Sequence, residues 1–403
     1  MIKSQNINTK IRVSIRYLTL ILFFPIIVLI ALLIKLIRPF ILIRWSRLDN
    51  ARIGHFATNV EIYLLKKKFG IDKPNKNYID FFYKPELKIC NKQLEKMWHS
   101  KILVMPWFIA YPLEFLRERN ILFNKENSFL THSVDRHNLL DTSEPILSFS
   151  LEERKKGFDF LRRVGLPENA KFVCLQVRDN SYLDEEKYNY HKYRNCDVEN
   201  FKLACNFLAN ENIFVFRMGK RVSKKISYGN SKIIDYATNG MRTDFLDIFL
   251  GSECLFWLST GSGIDNMSKL FRKPILYTNQ SPIGNITTYQ KTALVIFKHF
   301  FDKKTKSKLN IDELKQKKLC FATNQEQYEN NNVIIKENDS IEIEAATKEM
   351  FLRIKTNFWE TWDETKSNQK IFWNKFPYQK NLHGKITSNI GKEFLIKNNN
   401  FYN

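Results

Sequence analysis

The stretch 172–195, FVCLQVRDNSYLDEEKYNYHKYRN, decides the fold. Apart from Gln176, Phe172–Val177 is an apolar run, as expected of a strand buried on both faces of a parallel sheet. It turns polar at Arg178, Asp179, Asn180, Ser181 and Tyr182, then at His191, Tyr193, Arg194 and Asn195. Open α/β sheets bind ligands beyond the carboxyl ends of their strands, so a buried strand ending in clustered charge marks a candidate site. A plain solvated loop accounts less well for two arginines, a histidine and tyrosines packed so closely.

Five further strand-like runs succeed it, Ile213–Arg217, Lys232–Asp235, Cys254–Leu258, Pro274–Tyr277 and Ala293–Phe297. Helical stretches separate several of them, at Val198–Ala209, Thr243–Leu250 and Gly263–Phe271. Alternating strands and helices predict a mostly parallel, doubly wound sheet. Upstream, a capping box at Ser150–Glu153 opens a helix over Leu151–Val164 that Gly165 and Pro167 end. The expected organisation is an anchor over 1–48, an N-terminal α/β lobe over 49–165, a nucleotide-binding lobe over 166–340 and a C-terminal helix and tail over 341–403 packing back on the lobes. Within the first lobe the pattern predicts strands at Tyr78–Tyr83 and Ile102–Met105, and helices at Asn91–Lys101 and Phe108–Arg119.

Tyr17–Ile34 is apolar throughout. Eighteen residues at helical rise reach roughly 27 Å, close to the ~30 Å of a hydrocarbon core. No small-residue cleavage site comes after it, so the expectation is a retained membrane anchor rather than a signal peptide. Pro25 allows a kinked, re-entrant path, and basic residues on both flanks nearly cancel the positive-inside bias. Lys35–Trp45 reads as interfacial. Six cysteines without a CxxC pair predict free core thiols, which favours a cytoplasmic catalytic part. Neither they nor the seven histidines form a metal-ligand pattern. The formal charge of +22 calls for an anionic partner, but it is spread without a nucleic-acid-binding motif, so no nucleic acid is expected.

Three strand ends in the second lobe carry polar clusters: Arg178-Asp179, Arg217-Met218-Gly219 and Ser259–Gly263. The last opens a helix, where small residues and a positive dipole end suit a phosphate. Arginines bind diphosphate oxygens bidentately and assist a diphosphate leaving group, with no metal and no cofactor required. Tyr182, Tyr193 or Tyr236 are candidates to stack on a base. Asp247 or Asp244 is a candidate for ribose or sugar hydroxyls, although a helix cap explains Asp244 equally well. His55, Asp135 and His137 are candidates for the base that deprotonates an acceptor hydroxyl, with Glu61 orienting His55.

The patterns RIGHFATN (52–59), VDRHNLL (134–140), CLQVRDNSYL (174–183), YHKYRN (190–195), FRMGK (216–220), IIDYATN (233–239), DFLDIFLGSEC (244–254) and STGSGIDNMSKLF (259–271) are long and ordered. In them the chain resembles a family of bacterial glycosyltransferases of the membrane-associated, surface-polysaccharide type. The strand–Arg–Asp pattern is also distantly similar to fucosyltransferases. The resemblance implies a GT-B-like fold of two Rossmann-like lobes. It implies a nucleotide-sugar donor and a glycan or lipid-linked acceptor. It gives Arg178 to the donor diphosphate, Ser262-Gly263 to the phosphate-facing helix and Gly54-His55 to a glycine-rich loop of the first lobe. Arg194, Asn195, Arg217, Gly219 and Asp179 complete the expected donor set. Gln176 departs from the pattern, which has a histidine there. Pyruvyl transfer to a polysaccharide on the same scaffold is the nearest rival; a non-catalytic basic membrane-associated binding protein is a second.

Overall fold

The computed structural model describes residues 2–85, 88–179, 181, 189–360 and 363–403. It divides into two compact units, Met1–Ser133 and Val134–Asn403. The division thus falls well before the expected boundary at 165. The helix Leu151–Arg163 packs in the second unit, where Arg154 pairs with Glu253 at 2.9 Å and Gly157 lies against Phe249.

The first unit holds a three-stranded parallel sheet, β1 (Leu42–Arg47), β2 (Tyr78–Tyr83) and β3 (Leu103–Met105), in the order β1-β2-β3. Parallel strands need crossovers, and helices Ile53–Lys68 and Lys92–His99 supply them. Asn91 caps the second by accepting from the Leu94 N–H at 2.9 Å. Arg44 and Asp80 are register partners on β1 and β2, and Arg44 donates two 2.7 Å hydrogen bonds to the Asp80 carboxylate. Tyr63 donates a third, also at 2.7 Å. Both charges are buried, so losing either partner leaves the other uncompensated.

That pair corrects the reading of Lys35–Trp45 as interfacial. Residues 42–47 form a strand, Trp45 is fully buried against Phe123, and Arg44 faces Asp80 rather than headgroups. The preceding helix runs over Ile2–Ile37, through Pro25. Its C-terminal half packs a stripe of Ile27, Ala31 and Ile34 on the unit, the last two in one core with Ala110 and Leu113. The expected anchor, 17–34, falls partly on side chains outside the described residues, those of 2–17, 19 and 20. Among the described residues no helix is long and apolar enough to cross a membrane.

The second unit is built on a seven-stranded sheet, parallel throughout. Its strands are β4 (Phe172–Gln176), β5 (Phe214–Arg217), β6 (Ile233–Ile234), β7 (Trp257–Ser259), β8 (Ile275–Gln280), β9 (Ala293–Phe297) and β12 (Asn389–Ile390). The order is β12-β9-β8-β7-β4-β5-β6. All six expected strands are present, and every residue of β4 is buried, as two covered faces require. A two-stranded antiparallel ribbon, β10 (His299–Asp302) with β11 (Val333–Lys336), lies outside the sheet. The stretch 341–403 is integral to this unit. Helix Ser340–Thr356 packs on helix Lys202–Asn210, and β12 extends the sheet beside β9.

Helices Leu151–Arg163 and Asp244–Glu253 meet at Gly157, where an added Cβ would lie 2.2 Å from the Phe249 ring. Phe249 is itself hemmed in by Phe149, Phe158 and Phe245. Gly157→Ala should therefore lower stability by about 1–3 kcal/mol through overpacking, despite the gain in helix propensity. Urea unfolding checks this; an unchanged or raised midpoint would show that the aromatic cluster yields.

Candidate functional site

From β4 the chain winds outward through β5 to β6. It then returns through the helix Asp244–Glu253 to β7 on the other side of β4, and continues to β8 and β9. The winding therefore reverses between β4 and β7. At such a switch point successive connections leave in opposite directions and open a crevice at the strands' carboxyl ends.

Three segments are stitched together there. The Arg178 N–H donates to Thr260 Oγ1 at 2.9 Å and the Thr260 N–H to the Gln176 carbonyl at 3.0 Å. The Cys196 N–H donates to the Arg178 carbonyl at 2.9 Å, and Arg194 Nη2 to the Gly261 carbonyl at 3.0 Å. Gly261 has φ +84°, and a Cβ there would lie 3.2 Å from Gln280 Nε2, so the turn requires glycine. Residues 176–178, 194–196 and 260–262, far apart in sequence, converge.

The electrostatics of this convergence are unbalanced. Burial, and then the neighbouring Arg194, push the Arg178 guanidinium down to about 10. Its Nε is buried without a hydrogen-bond partner, and the Ser262 hydroxyl oxygen is likewise buried and unpartnered. Among the described residues neither Arg178 nor Arg194 has a carboxylate partner. Lys298 adds a third cation: it is buried at the end of β9 and donates to the Asn195 carbonyl at 2.5 Å. Lys298 was not among the expected residues, although it comes directly after an apolar run, the same signal that marks Arg178. Gln176, where the family pattern has histidine, is buried at this end of β4 with its Oε1 unpartnered.

Other expected donor residues do different work. Arg217 is fully buried: its Nη1 donates to Asp235 at 3.2 Å and to the Lys224 carbonyl at 3.1 Å, and its Nη2 lies 4.0 Å from Asp179. It is a strut between loops. Asp179 accepts from the Ser223 N–H at 2.7 Å, the Ser223 hydroxyl at 2.9 Å and the Ser181 N–H at 3.0 Å. Burial alone would raise its pKa, but these hydrogen bonds outweigh it and hold the carboxyl below its usual range. Gly219 closes a tight turn against Val222.

Asp247 is buried, receives hydrogen bonds from Arg242 and from Tyr236 at 3.2 Å, and is pushed up to about 6 by burial; it is not open to ribose. Tyr236 and Tyr193 are buried, the latter against Tyr328, so neither offers a free face to a base. Tyr182 lies outside the described residues.

The Ser262-Gly263 cradle is also corrected. The Ser262 N–H donates to Asp265 at 2.7 Å and the Gly261 N–H to Ser259 Oγ at 3.1 Å, so these two backbone donors are already used. The chain continues from there as a 3-10 turn, Ile264–Asn266, and a four-residue helix, Met267–Leu270.

Of the candidate bases, Asp135 is buried and accepts from the His137 N–H at 3.2 Å and the Leu140 N–H at 2.7 Å, holding a turn. His137 is exposed in the same unit. Gly54 and His55 sit in the first turn of the helix Ile53–Lys68 of the first unit, not in a loop. Glu61, six positions on, is rotated by roughly 240° about that helix and cannot orient His55.

The second unit is thus a doubly wound α/β fold with Arg178 and Arg194 adjacent at its switch point. No protein-family model matches the chain, and no curated protein sequence matches it. Among solved structures it is similar to a glycosyl transferase family 9 protein from Veillonella parvula, at 11% identity and a TM-score of 0.38 over 63% of this chain and 85% of that one. It is similar to the E. coli ADP-heptose lipopolysaccharide heptosyltransferase II, at 14% and 0.34 over 63% and 90%. It is also similar to E. coli heptosyltransferase WaaC with ADP-2-deoxy-2-fluoro heptose, at 11% and 0.32 over 68% and 98%. Values this low leave fold and function to the residues themselves.

Arg217→Ala should cost about 1–3 kcal/mol, because it removes a buried guanidinium that ties the half-buried Asp235 to the Lys224 carbonyl. Arg178→Ala removes a cation that has no counter-ion among the described residues and should leave the urea midpoint unchanged or raise it. Equal losses in the two variants would make Arg178 a strut as well.

Proposed function

We propose that the protein is a glycosyltransferase of GT-B-like design that takes a sugar from a nucleoside-diphosphate donor. The observation that carries this reading is the pairing of Arg178 and Arg194, with no carboxylate partner among the described residues, at the switch point of the parallel sheet. Two adjacent guanidiniums repel each other until an anion joins them, and a diphosphate offers oxygens to both. Transfer breaks the bond between the anomeric carbon and the diphosphate oxygen, whose electron pair leaves with the nucleotide. A new bond forms to an acceptor oxygen, whose proton passes to a base. The arginines would hold the charge that grows on the leaving diphosphate, with the Ser262 hydroxyl and Lys298 beside them. With Asp135 committed to its turn, His55 and His137 remain the proposed bases. The reaction is proposed to run without metal, on a glycan or lipid-linked acceptor of the cell-surface polysaccharide class, at the cytoplasmic face of a bacterial inner membrane.

Calorimetric titration of the full chain with ADP, UDP, GDP and CMP, with and without EDTA, tests the donor site. One nucleoside diphosphate should bind saturably in both conditions. Arg178→Ala should weaken it about 10- to 100-fold, as expected for the loss of one charge-assisted contact. Binding of phosphoenolpyruvate with no nucleotide bound would replace this reading by pyruvyl transfer. Either His55→Ala or His137→Ala is expected to lower kcat by about 100-fold or more with donor affinity unchanged. Full activity in both would move the base to another residue type.

A further inference from the structure

We infer that the first unit docks on an anionic lipid surface, embedding the outward face of the stretch Ile21–Ile37 of its first helix together with the adjoining helix Trp107–Glu118 in one leaflet. The inference is independent of the reaction proposed above.

An amphipathic helix that buries one stripe normally turns a polar face to water. Here Ile27 and Ala31 are buried, with Ile34 in the same stripe, yet the opposite side is apolar too: Leu22 is 67% exposed, Phe24 64%, Leu29 58% and Leu36 72%. A helix apolar all round is stable only inside protein or lipid, and protein covers just the one stripe. The Phe23 ring meets Phe108 at 4.9 Å, and Ala31 and Ile34 share a core with Ala110 and Leu113. From Phe23 to Ile34, roughly 17 Å of helix, the segment is therefore fastened along the side of the unit. Lipid can reach it from one side only. A bilayer that takes the exposed face also meets the neighbouring helix.

That helix is suited to the contact. Phe115 is 51% exposed on it, and the guanidinium of Arg119, itself exposed, lies 3.6 Å from the centre of the Phe115 ring. A guanidinium stacked on the face of an apolar ring pairs a charge that reaches headgroups with a side chain that enters the acyl layer. Trp107 and Tyr111, half-buried on the same helix, are the residue types that settle at membrane interfaces. Charge selects the lipid: residues 1–133 hold 22 Lys and Arg against 9 Asp and Glu, which favours anionic headgroups.

Vesicle flotation of the full chain tests this, with phosphatidylethanolamine–phosphatidylglycerol against pure phosphatidylcholine. The protein should float with the anionic vesicles, and 1 M salt should release a large part of it. Phe115→Glu and Leu36→Glu should each cut the floated fraction several-fold while keeping the wild-type circular dichroism and melting temperature. Both residues are exposed, so the fold does not depend on them. Nucleotide binding, read separately, should be unaffected in both variants. Phe115→Glu floating like wild type would overturn the inference in favour of attachment through the first helix alone. Equal flotation on phosphatidylcholine would remove the charge argument and overturn it as stated. Failure to float, with a dimer that Phe115→Glu dissolves, would assign the face to a second copy of the chain instead.

Discussion

The reversal of winding at β4 is the constraint on which the second unit depends. A parallel strand cannot turn back on its neighbour, so each connection must climb over a face of the sheet. Where two successive connections leave in opposite directions, the backbone beyond the strand ends has no neighbour to pair with. This protein meets that gap with the Thr260 hydroxyl and amide, which tie the end of β4 to the end of β7. Once that tie is made, Arg178, Arg194 and Ser262 share one small volume, and like charges are held together by the sheet rather than by each other. A site that keeps its cations close before the ligand arrives needs little rearrangement when charge develops there.

Much of this was legible from the chain alone. Apolar runs located all six strands between 172 and 297, because strands buried on both faces leave no alternation to misread. The rule that charge following such a run marks a site picks out Arg178, which lies at the switch point. It failed for Arg217, which looks the same in sequence but has Asp235 waiting eighteen positions on. Whether a cation is free depends on its partners, and partners come from other elements. Asp247 misled for a related reason: the helical turn aims it inward at Tyr236 and Arg242. The Ser-Gly turn after β7 looked like a phosphate cradle because the sequence cannot show that Asp265 folds back to take the Ser262 amide.

The first unit was harder to read. Lys35–Trp45 alternates arginines with apolar residues, a pattern that a headgroup layer and a strand with one buried ion pair both satisfy. The choice is made by Asp80, thirty-six residues away and opposite Arg44 in register. Likewise the boundary near 165 rested on a strong local stop, Gly165 and Pro167, that ends a helix without ending a unit. Local signals mark where elements end; only packing such as that of Gly157 on Phe249 shows which elements belong together.

The place of β12 has an implication for synthesis. Its two residues, Asn389 and Ile390, pair with Leu294 and Val295, close to a hundred positions earlier. As the chain leaves the ribosome, β9 presents an unpaired apolar rim until residues 389 and 390 emerge. A nascent chain that stalls short of residue 389 therefore carries an open template for pairing with its neighbours. Translation through β12 is for this fold a protection against aggregation as well as a source of core.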